Sequence, residues 1–471
     1  MITALFGLMN ALIRRGAGTS LAMDDAKVNL FTQTWQWGYQ PNNPPLYEWL
    51  LTLTQTLIGN SFWSFLVIKY VSLVIAVGFI HALVRSYASA HIAFGTSLGM
   101  ILLYQVGWNF HEAFTHSVLV LPATAAILWA GFQWLRDPHW KMSLLFGGIL
   151  GISLLTKYNI IFLIISLFLS FAFLRHGRQR MARLDTLFLP LMVIIITAPH
   201  FMWFLSQADI YKGTIEGTLK TEGLYGDRLW SGLGSLVVST LSFFLPWALV
   251  IASLTFPWWR SRWSFLKEEA SLLWVSGICL CMMVLVVLFT GASSVSERYF
   301  IPLLVPAYIA LTSAFLGRAV QKRLPAWLWS CGGVAVLVMG LRLTATLFPG
   351  PPFCNECRQF TPYQALKSPI EKIAPMGSIL IVREENTGGN MVALFPRSPV
   401  RVFTSLHLTN PIKDEGRPCF FIWSEDTVGG VKLERQFTYA YNHPDTVMVT
   451  VEWSRPVGEQ GQKETEWGIT P

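Results

Sequence analysis

Charge is what this sequence is short of. Asp, Glu, Lys and Arg make up only 13% of its 471 residues, against about 25% in ordinary soluble domains. With 53% hydrophobic residues and a mean hydropathy of +0.46, that shortage excludes a soluble globular enzyme and a disordered chain. Cysteine is scarce as well: six residues do not make a disulfide-stapled secreted module. The sequence has no glycine-rich nucleotide fingerprint, no P-loop pattern and no D-x-D pair, so the common ways of holding a nucleotide or a nucleotide sugar are missing. Nor does it repeat itself internally. Aromatic residues, by contrast, are abundant: 20 Trp and 32 Phe fit a chain with many membrane–water interfaces.

The charges are unevenly spread. Residues 1–348 carry 23 Lys and Arg against 13 Asp and Glu, and residues 349–471 carry 12 against 14. The first stretch reads as a polytopic α-helical transmembrane domain and the second as a small outer domain. The cationic excess calls for no nucleic acid, because basic cytoplasmic loops account for it. A spanning helix needs about 20 mostly apolar residues. Such stretches fall at 62–84, 90–107, 114–134, 140–157, 158–174, 184–205, 231–257, 268–291, 300–317 and 325–347. Residues 46–59 read as an amphipathic helix lying at the interface. Residues 2–13 are apolar and precede Arg14 and Arg15, the reverse of a signal peptide. They read either as a first span that begins before this sequence or as a short tilted helix. The expectation is about 11 transmembrane helices.

Thirteen cations lie in one set of short connections: Arg85, Arg136, Lys141, Arg175, Arg178, Arg180, Arg183, Arg260, Arg262, Lys267, Arg318, Lys322 and Arg323. That side is expected to be cytoplasmic. The opposite, periplasmic side of an inner membrane then receives 14–61, 108–113, the turn near Lys157, 206–230, 292–299 and the whole of 349–471. The outer domain alternates strand-like runs at 378–383, 400–404, 419–423 and 447–453 with helix-like stretches at 362–374 and 387–395, predicting a small α/β sheet. The segment from Val457 onward is polar and reads as frayed. Cys279, Cys281 and Cys331 fall inside spans as packing residues. Cys354 and Cys357 form C-N-E-C on the outer side. Such a pair can be a disulfide, a redox pair or half a metal site; a structural disulfide is preferred, and no second CxxC completes a zinc pattern.

The first outer loop, 23–51, holds the residues best suited to chemistry. It opens with Asp24 and Asp25, continues through Trp35, Trp37 and Tyr39, and closes on Pro44-Pro45, which forces extended backbone ahead of the next helix. A carboxylate at the membrane face can serve as a general base toward a hydroxyl. The plain alternative is that the two acids cap a helix, and spacing alone favours that alternative.

Several segments together resemble the dolichyl-phosphate-mannose–protein mannosyltransferase-like superfamily, which includes the bacterial aminoarabinose and galacturonic acid transferases that modify lipid A. The likeness rests on Asp24-Asp25-Ala26, Trp37-Gly38-Tyr39, Pro44-Pro45-Leu46, Leu57-Ile58-Gly59-Asn60, Lys69 in FLVIKYVS, GILGISLLTKY at 148–158 and ERYFIPLL at 297–304. Each motif is weak alone, but they occur in the family's order along residues 1–348. The resemblance implies a multi-span fold of the GT-C type and sugar transfer from a polyprenyl-phosphate donor to a lipid, glycan or protein acceptor on the outer face. It implies inversion at the sugar, no metal and no cofactor, with Asp24 as base and Asp25 in support. The donor's leaving group is already a phosphate, so no general acid is required, and fixed cations can hold its developing charge. Lys157 and Arg298 with Tyr299, and less directly Lys69 and Arg228, stand at outer span ends or loops for that task. The alternative for these cations is snorkelling to lipid headgroups.

Three departures from the family pattern bear on the acceptor and the sugar. Asn43 stands where lipid A transferases often have Lys. Thr115-His116 replaces an acidic T-x-D-like motif, with His111 and Glu112 one helical turn away, so His111, Glu112, His116, Asn43 and Tyr39 are candidates for acceptor binding or support. Lys27 replaces an aromatic. Two other classes compete with a transferase. One is a lipid-linked saccharide transporter or flippase, which would place paired charges at the midplane and show repeats. The other is an outward-facing polysaccharide polymerase or ligase, whose main outer loop comes late in the chain.

Overall fold

A computed structural model of the chain describes residues 2–112, 115–207, 224–255, 265–318, 323–354, 357–402, 416–425, 447–454 and 462–470. Among the expectations, Arg260, Arg262, Lys322 and most of the 206–230 loop lie outside the described residues. The rest is mainly helix. Among the described residues, seven helices are long and apolar enough to cross a membrane: Phe62–Arg85, His116–Arg136, Leu184–Ser206, Tyr225–Leu254, Lys267–Thr290, Glu297–Gly317 and Leu324–Leu347. The number rises to nine if the bent pairs Ala90–Leu102 with Tyr104–His111 (74°) and Ile160–Phe173 with Arg175–Met181 (116°) each count as one span. About 11 were expected from hydropathy. The difference lies in short elements, the 15-residue helices Ile2–Gly16 and Trp140–Leu154, each about 22 Å long at 1.5 Å per residue. Residues 46–59, read as an interfacial helix, form the helix Leu46–Ile58.

The described chain divides into two compact units. One comprises Met1–Gly7, Trp37–Tyr47 and Lys69–Val338; the other comprises Leu8–Gln36, Glu48–Ile68 and Met339–Pro471. In the first, His116–Arg136 and Glu297–Gly317 are the inner helices, with 78% and 83% of their apolar windows buried, whereas only 11% of the Leu184–Ser206 window is. Close packing follows from small residues. On Trp140–Leu154, a Cβ at Gly147 would meet the Leu189 backbone at 2.9 Å and one at Gly151 would meet Ile196 at 3.0 Å, the small-xxx-small spacing that lets helices approach in lipid. One of the arginines expected in a solvated loop is instead buried. Arg180 donates to Ser143 Oγ at 2.9 Å and to the Trp134 carbonyl at 2.9 Å, pairs with Asp185 at 2.9 Å and lies over the Trp134 ring. These bonds satisfy a guanidinium that would otherwise be costly to bury.

The second unit contains a five-stranded sheet of order β2-β1-β3-β5-β4, with β1 Ile379–Val382, β2 Val400–Val402, β3 Cys419–Glu425, β4 Val447–Ser454 and β5 Gln462–Thr470. β1 runs parallel to β2 and β3, while β5 is antiparallel to β3 and β4. β5 corrects the expectation of a frayed segment: residues 462–470 insert between two strands. Its run of charged residues hid it, because ladder bonding is a property of the backbone. The helix Glu385–Leu394 connects β1 to β2, as a parallel pair requires. The core joins Leu380, Val382, Val400, Val402, Met391 and Ile422 to Leu30. Leu30 belongs to the helix Met23–Phe31, so that helix is built into the core around this sheet. Cys354 and Cys357 are disulfide-bonded. Cys279 and Cys331 are buried as packing residues, and Cys281 is exposed on its helix.

Candidate active site

The acid pair lies in the second unit. The helix Met23–Phe31 has Ala22 as its N-cap, and Asp24 and Asp25 stand in its first turn. Neither acid therefore fills the cap position that spacing alone had favoured. Both sit beside the positive end of the helix dipole, a favourable place for carboxylates. Asp24 is half-buried and Asp25 buried. Lys27, the departure from the family's aromatic, pairs with Glu385 at 3.1 Å.

The cationic residues lie in the first unit. Lys157 occupies the break between Trp140–Leu154 and Ile160–Phe173 and is buried. Its Nζ donates to Ser117 Oγ at 2.9 Å and stands 4.6 Å from the centroid of the Tyr299 ring. Asn159 Nδ2 donates to the Tyr299 carbonyl at 3.2 Å. Tyr299 and Arg298 both lie on the one-turn 3₁₀ element Glu297–Phe300. His116, at the start of its span, has Nδ1 3.1 Å from the Thr115 hydroxyl and packs against the Tyr47 ring at 5.5 Å. The Leu46 amide donates to the Leu155 carbonyl at 3.1 Å, so the segment after Pro44-Pro45 is stitched to the turn that carries Lys157. Residues from four distant stretches thus converge: Tyr47, His116-Ser117, Lys157 and Tyr299.

Lys69 is also buried, but its ammonium donates to the Glu112 carbonyl. With Tyr70, whose hydroxyl is 3.3 Å from His111 Nδ1, it secures the turn holding His111 and Glu112. Arg228 is half-buried, 5.7 Å from the Tyr225 ring centroid. Tyr39 is buried, and Asn43 is half-buried in a tight turn where it bridges to Gln40.

Sequence reasoning missed one constellation. Tyr158, next to Lys157, has its hydroxyl 3.0 Å from His200 Nε2, and His200 Nδ1 lies 3.0 Å from the Trp37 carbonyl. A carbonyl only accepts, so Nδ1 carries the proton, and in the neutral ring Nε2 accepts from Tyr158. Trp203 stacks on His200, and a Cβ on Gly38 would fall 2.0 Å from Trp203. The glycine of the Trp37-Gly38-Tyr39 motif is thereby explained by close approach. An ionisable residue inside an apolar span was the available signal for His200. Ser117 and Tyr47 carried no such signal. Among the described residues, no three His, Cys, Asp or Glu side chains are grouped as metal ligands.

A buried ammonium framed by a hydroxyl and an aromatic face can hold a single phosphate, and a carboxylate on an anchored helix can take a proton from an attacking hydroxyl. The chain superposes on the crystal structure of ArnT from Cupriavidus metallidurans bound to undecaprenyl phosphate with a TM-score of 0.63. That superposition covers 99% of this chain and 97% of the other at 14% identity. The apo form of the same protein gives 0.62 at 13% identity, with the same coverage. The architecture is therefore the GT-C fold. Residues 42–203 match the family model described as dolichyl-phosphate-mannose-protein mannosyltransferase. Two curated relatives are lipopolysaccharide core galacturonosyltransferases of Rhizobium johnstonii. RgtA is 26% identical over 428 residues, 85% of this chain and 81% of its own. RgtB is 26% identical over 451 residues, 90% and 86%. Together these findings show a chain similar to the dolichyl-phosphate-mannose–protein mannosyltransferase-like superfamily and support a membrane glycosyltransferase.

Proposed function

We propose that the protein moves a sugar from a polyprenyl-phosphate donor to a lipid or glycan acceptor of the cell envelope, on the periplasmic face of the inner membrane. The observation that carries this reading is Lys157, an ammonium buried at a helix break and framed by Ser117 and Tyr299. Undecaprenyl phosphate bound to the ArnT of similar fold supports a donor of that class. The names of RgtA and RgtB favour a uronic acid as the sugar and the lipopolysaccharide core as the acceptor.

The acceptor hydroxyl attacks the anomeric carbon from the face opposite the phosphate. Asp24 takes its proton as the new C–O bond forms, with Asp25 in support. The bond from the anomeric carbon to the phosphate oxygen breaks, its electron pair leaves with the phosphate, and the anomeric configuration inverts. Lys157, with Arg298 and Tyr299, stabilises the charge gathering on that phosphate, a task that needs no metal. Lys69 keeps His111 and Glu112 in place, and these, with His116, Asn43 and Tyr39, shape the acceptor side. Arg228 is a further cation for the phosphate.

The test uses membranes containing the protein, a labelled polyprenyl-phosphate sugar and lipopolysaccharide core. Label should pass to the core, persist in the presence of a chelator and fall by about 10²-fold or more in Asp24→Asn, with the variant still inserted. Wild-type turnover in Asp24→Asn would remove that residue from the role. Loss of label to the opposite leaflet without transfer would instead indicate a flippase.

A further inference from the structure

The helix Met23–Phe31 is fastened to the helix Glu385–Leu394 of the outer domain by bonds on both sides of the acid pair. Before the pair, Asn390 brackets one residue: its Oδ1 accepts from the Leu21 amide at 2.8 Å, and its Nδ2 donates to the Leu21 carbonyl at 3.1 Å. After the pair, Asn29 Nδ2 donates to the Gly389 carbonyl at 2.8 Å, and Lys27 pairs with Glu385. Between them the two backbones touch. A Cβ on Gly389 would stand 1.9 Å from the Ala26 carbonyl oxygen, so any other residue there would push the acidic helix away. Asn390 itself is held by donating to the Asn386 carbonyl at 2.8 Å, and both Asn29 and Asn390 are buried.

Hydrophobic packing alone would need none of this, since Leu30 already anchors the helix in the core. Apolar contact leaves a helix free to slide and roll by fractions of an ångström. A two-point amide contact to the backbone of a single residue, immediately before the Ala22 cap, fixes the start of the helix in position and rotation. The Asn29–Gly389 bond fixes it further along. Chemistry is sensitive on that scale: displacement of a reacting group by about 1 Å can cost about 10²-fold in rate.

We infer that Gly389 and Asn390, together with Asn29, are positioning residues for the reaction. They set where the Asp24 carboxylate stands, so the outer domain is part of the catalytic apparatus. The inference rests on the reading of Asp24 as the base. Lys27 belongs to the same device: its partner is Glu385, on the helix that carries the clamp.

The test is a double-mutant cycle on the full chain in membranes, measuring kcat and donor KM. Asn390→Ala and Asn29→Ala should each lower kcat by about tenfold to a hundredfold while donor KM stays within about twofold, since neither residue is placed at the phosphate site. In an Asp24→Asn background, neither should cause further loss, because a carboxylate that no longer works cannot be misplaced. Should Asn390→Ala fail to reach the membrane, Asn29→Ala carries the same comparison. Wild-type kcat in the single variants, or losses that multiply with Asp24→Asn as general destabilisation would, overturns the positioning role and leaves the base intact. Normal turnover in Asp24→Asn alone overturns the base reading, and this inference with it.

Discussion

Lys157 Nζ donates to Ser117 Oγ at 2.9 Å, although the two residues are 40 positions apart, Ser117 on an apolar helix and Lys157 in the break between two others. A lysine that merely snorkelled would extend its ammonium to the headgroups. This one is drawn inward, against a hydroxyl and the Tyr299 ring.

If Lys157 and Arg298 act on one donor phosphate, removing either cation loses charge-assisted hydrogen bonding of about 1.5–3 kcal/mol. Lys157→Ala and Arg298→Ala should each weaken donor affinity in detergent by roughly tenfold or more. The double variant should lose less than the sum. Lys157→Arg should not restore affinity, because a planar guanidinium cannot occupy a pocket framed for a compact ammonium. Full affinity in Lys157→Arg would return the residue to the role of a headgroup anchor.

His200 should matter through Tyr158. His200→Phe keeps a ring against Trp203 but removes both hydrogen bonds, leaving the Trp37 carbonyl and the Tyr158 hydroxyl without these partners. Because Tyr158 and Trp37 are exposed residues, a loss of only about 0.5–1.5 kcal/mol per hydrogen bond is expected. Transfer should fall while the protein still inserts. Tyr158→Phe should reproduce part of the defect and should add little in a His200→Phe background. Multiplying losses in the double variant would show the two residues acting separately.

The orientation read from the cationic loops predicts a periplasmic C-terminus. A reporter active only in the periplasm, fused after Pro471, should be active. Activity of a cytoplasm-only reporter at that point would reverse the assignment of every loop and remove the acid pair from the outer face.

Tyr363 gives the sheet-containing unit an alkaline limit. Burial pushes its phenol from the ordinary 10 up to about 12, against the lowering effect of its hydrogen bond with Thr387, and Glu384 adds to the rise. The folded state therefore holds this proton more tightly than the unfolded one. The associated stability is fully present below pH 10 and is lost as pH rises from there through about 12. That rise corresponds to an upper limit of roughly 2–3 kcal/mol. Tyr363→Phe should abolish that loss. At neutral pH it should cost about 1–3 kcal/mol, because the Asn386 amide, which donates to the phenol at 3.0 Å, loses its partner. Thermal melts of wild type and variant across this pH range test both halves. Parallel curves would show that Tyr363 does not set the limit.

Most helices were legible because a spanning segment announces itself by length and hydropathy. The expected 268–291 is the helix Lys267–Thr290, and 325–347 is Leu324–Leu347. Strands β1, β3 and β4 showed through their β-branched and aromatic runs, whereas β5 did not, because QKETEWGIT has no apolar alternation and its place is fixed by ladder bonds to two neighbours. The candidate cations Lys157 and Lys69 were visible as isolated charges in apolar surroundings. Their different engagements, one with Ser117 and Tyr299 and the other with the Glu112 carbonyl, were not visible.

The sequence by itself determined the class of molecule: too little charge to be soluble, apolar runs of spanning length, an acid pair opening the first loop and a set of motifs in a recognisable order. These are properties of composition and local pattern, and hydrophobic transfer and helix geometry act on them directly. Only the tertiary structure decided which residues work together. Asn390 lies 369 positions from Leu21, yet it holds that residue at both its amide and its carbonyl. His200 lies 163 positions from the Trp37 carbonyl it bonds. Such pairs leave no periodic trace, because a hydrogen bond between distant segments depends on where the packed chain brings two atoms, and the residues between them carry no record of it.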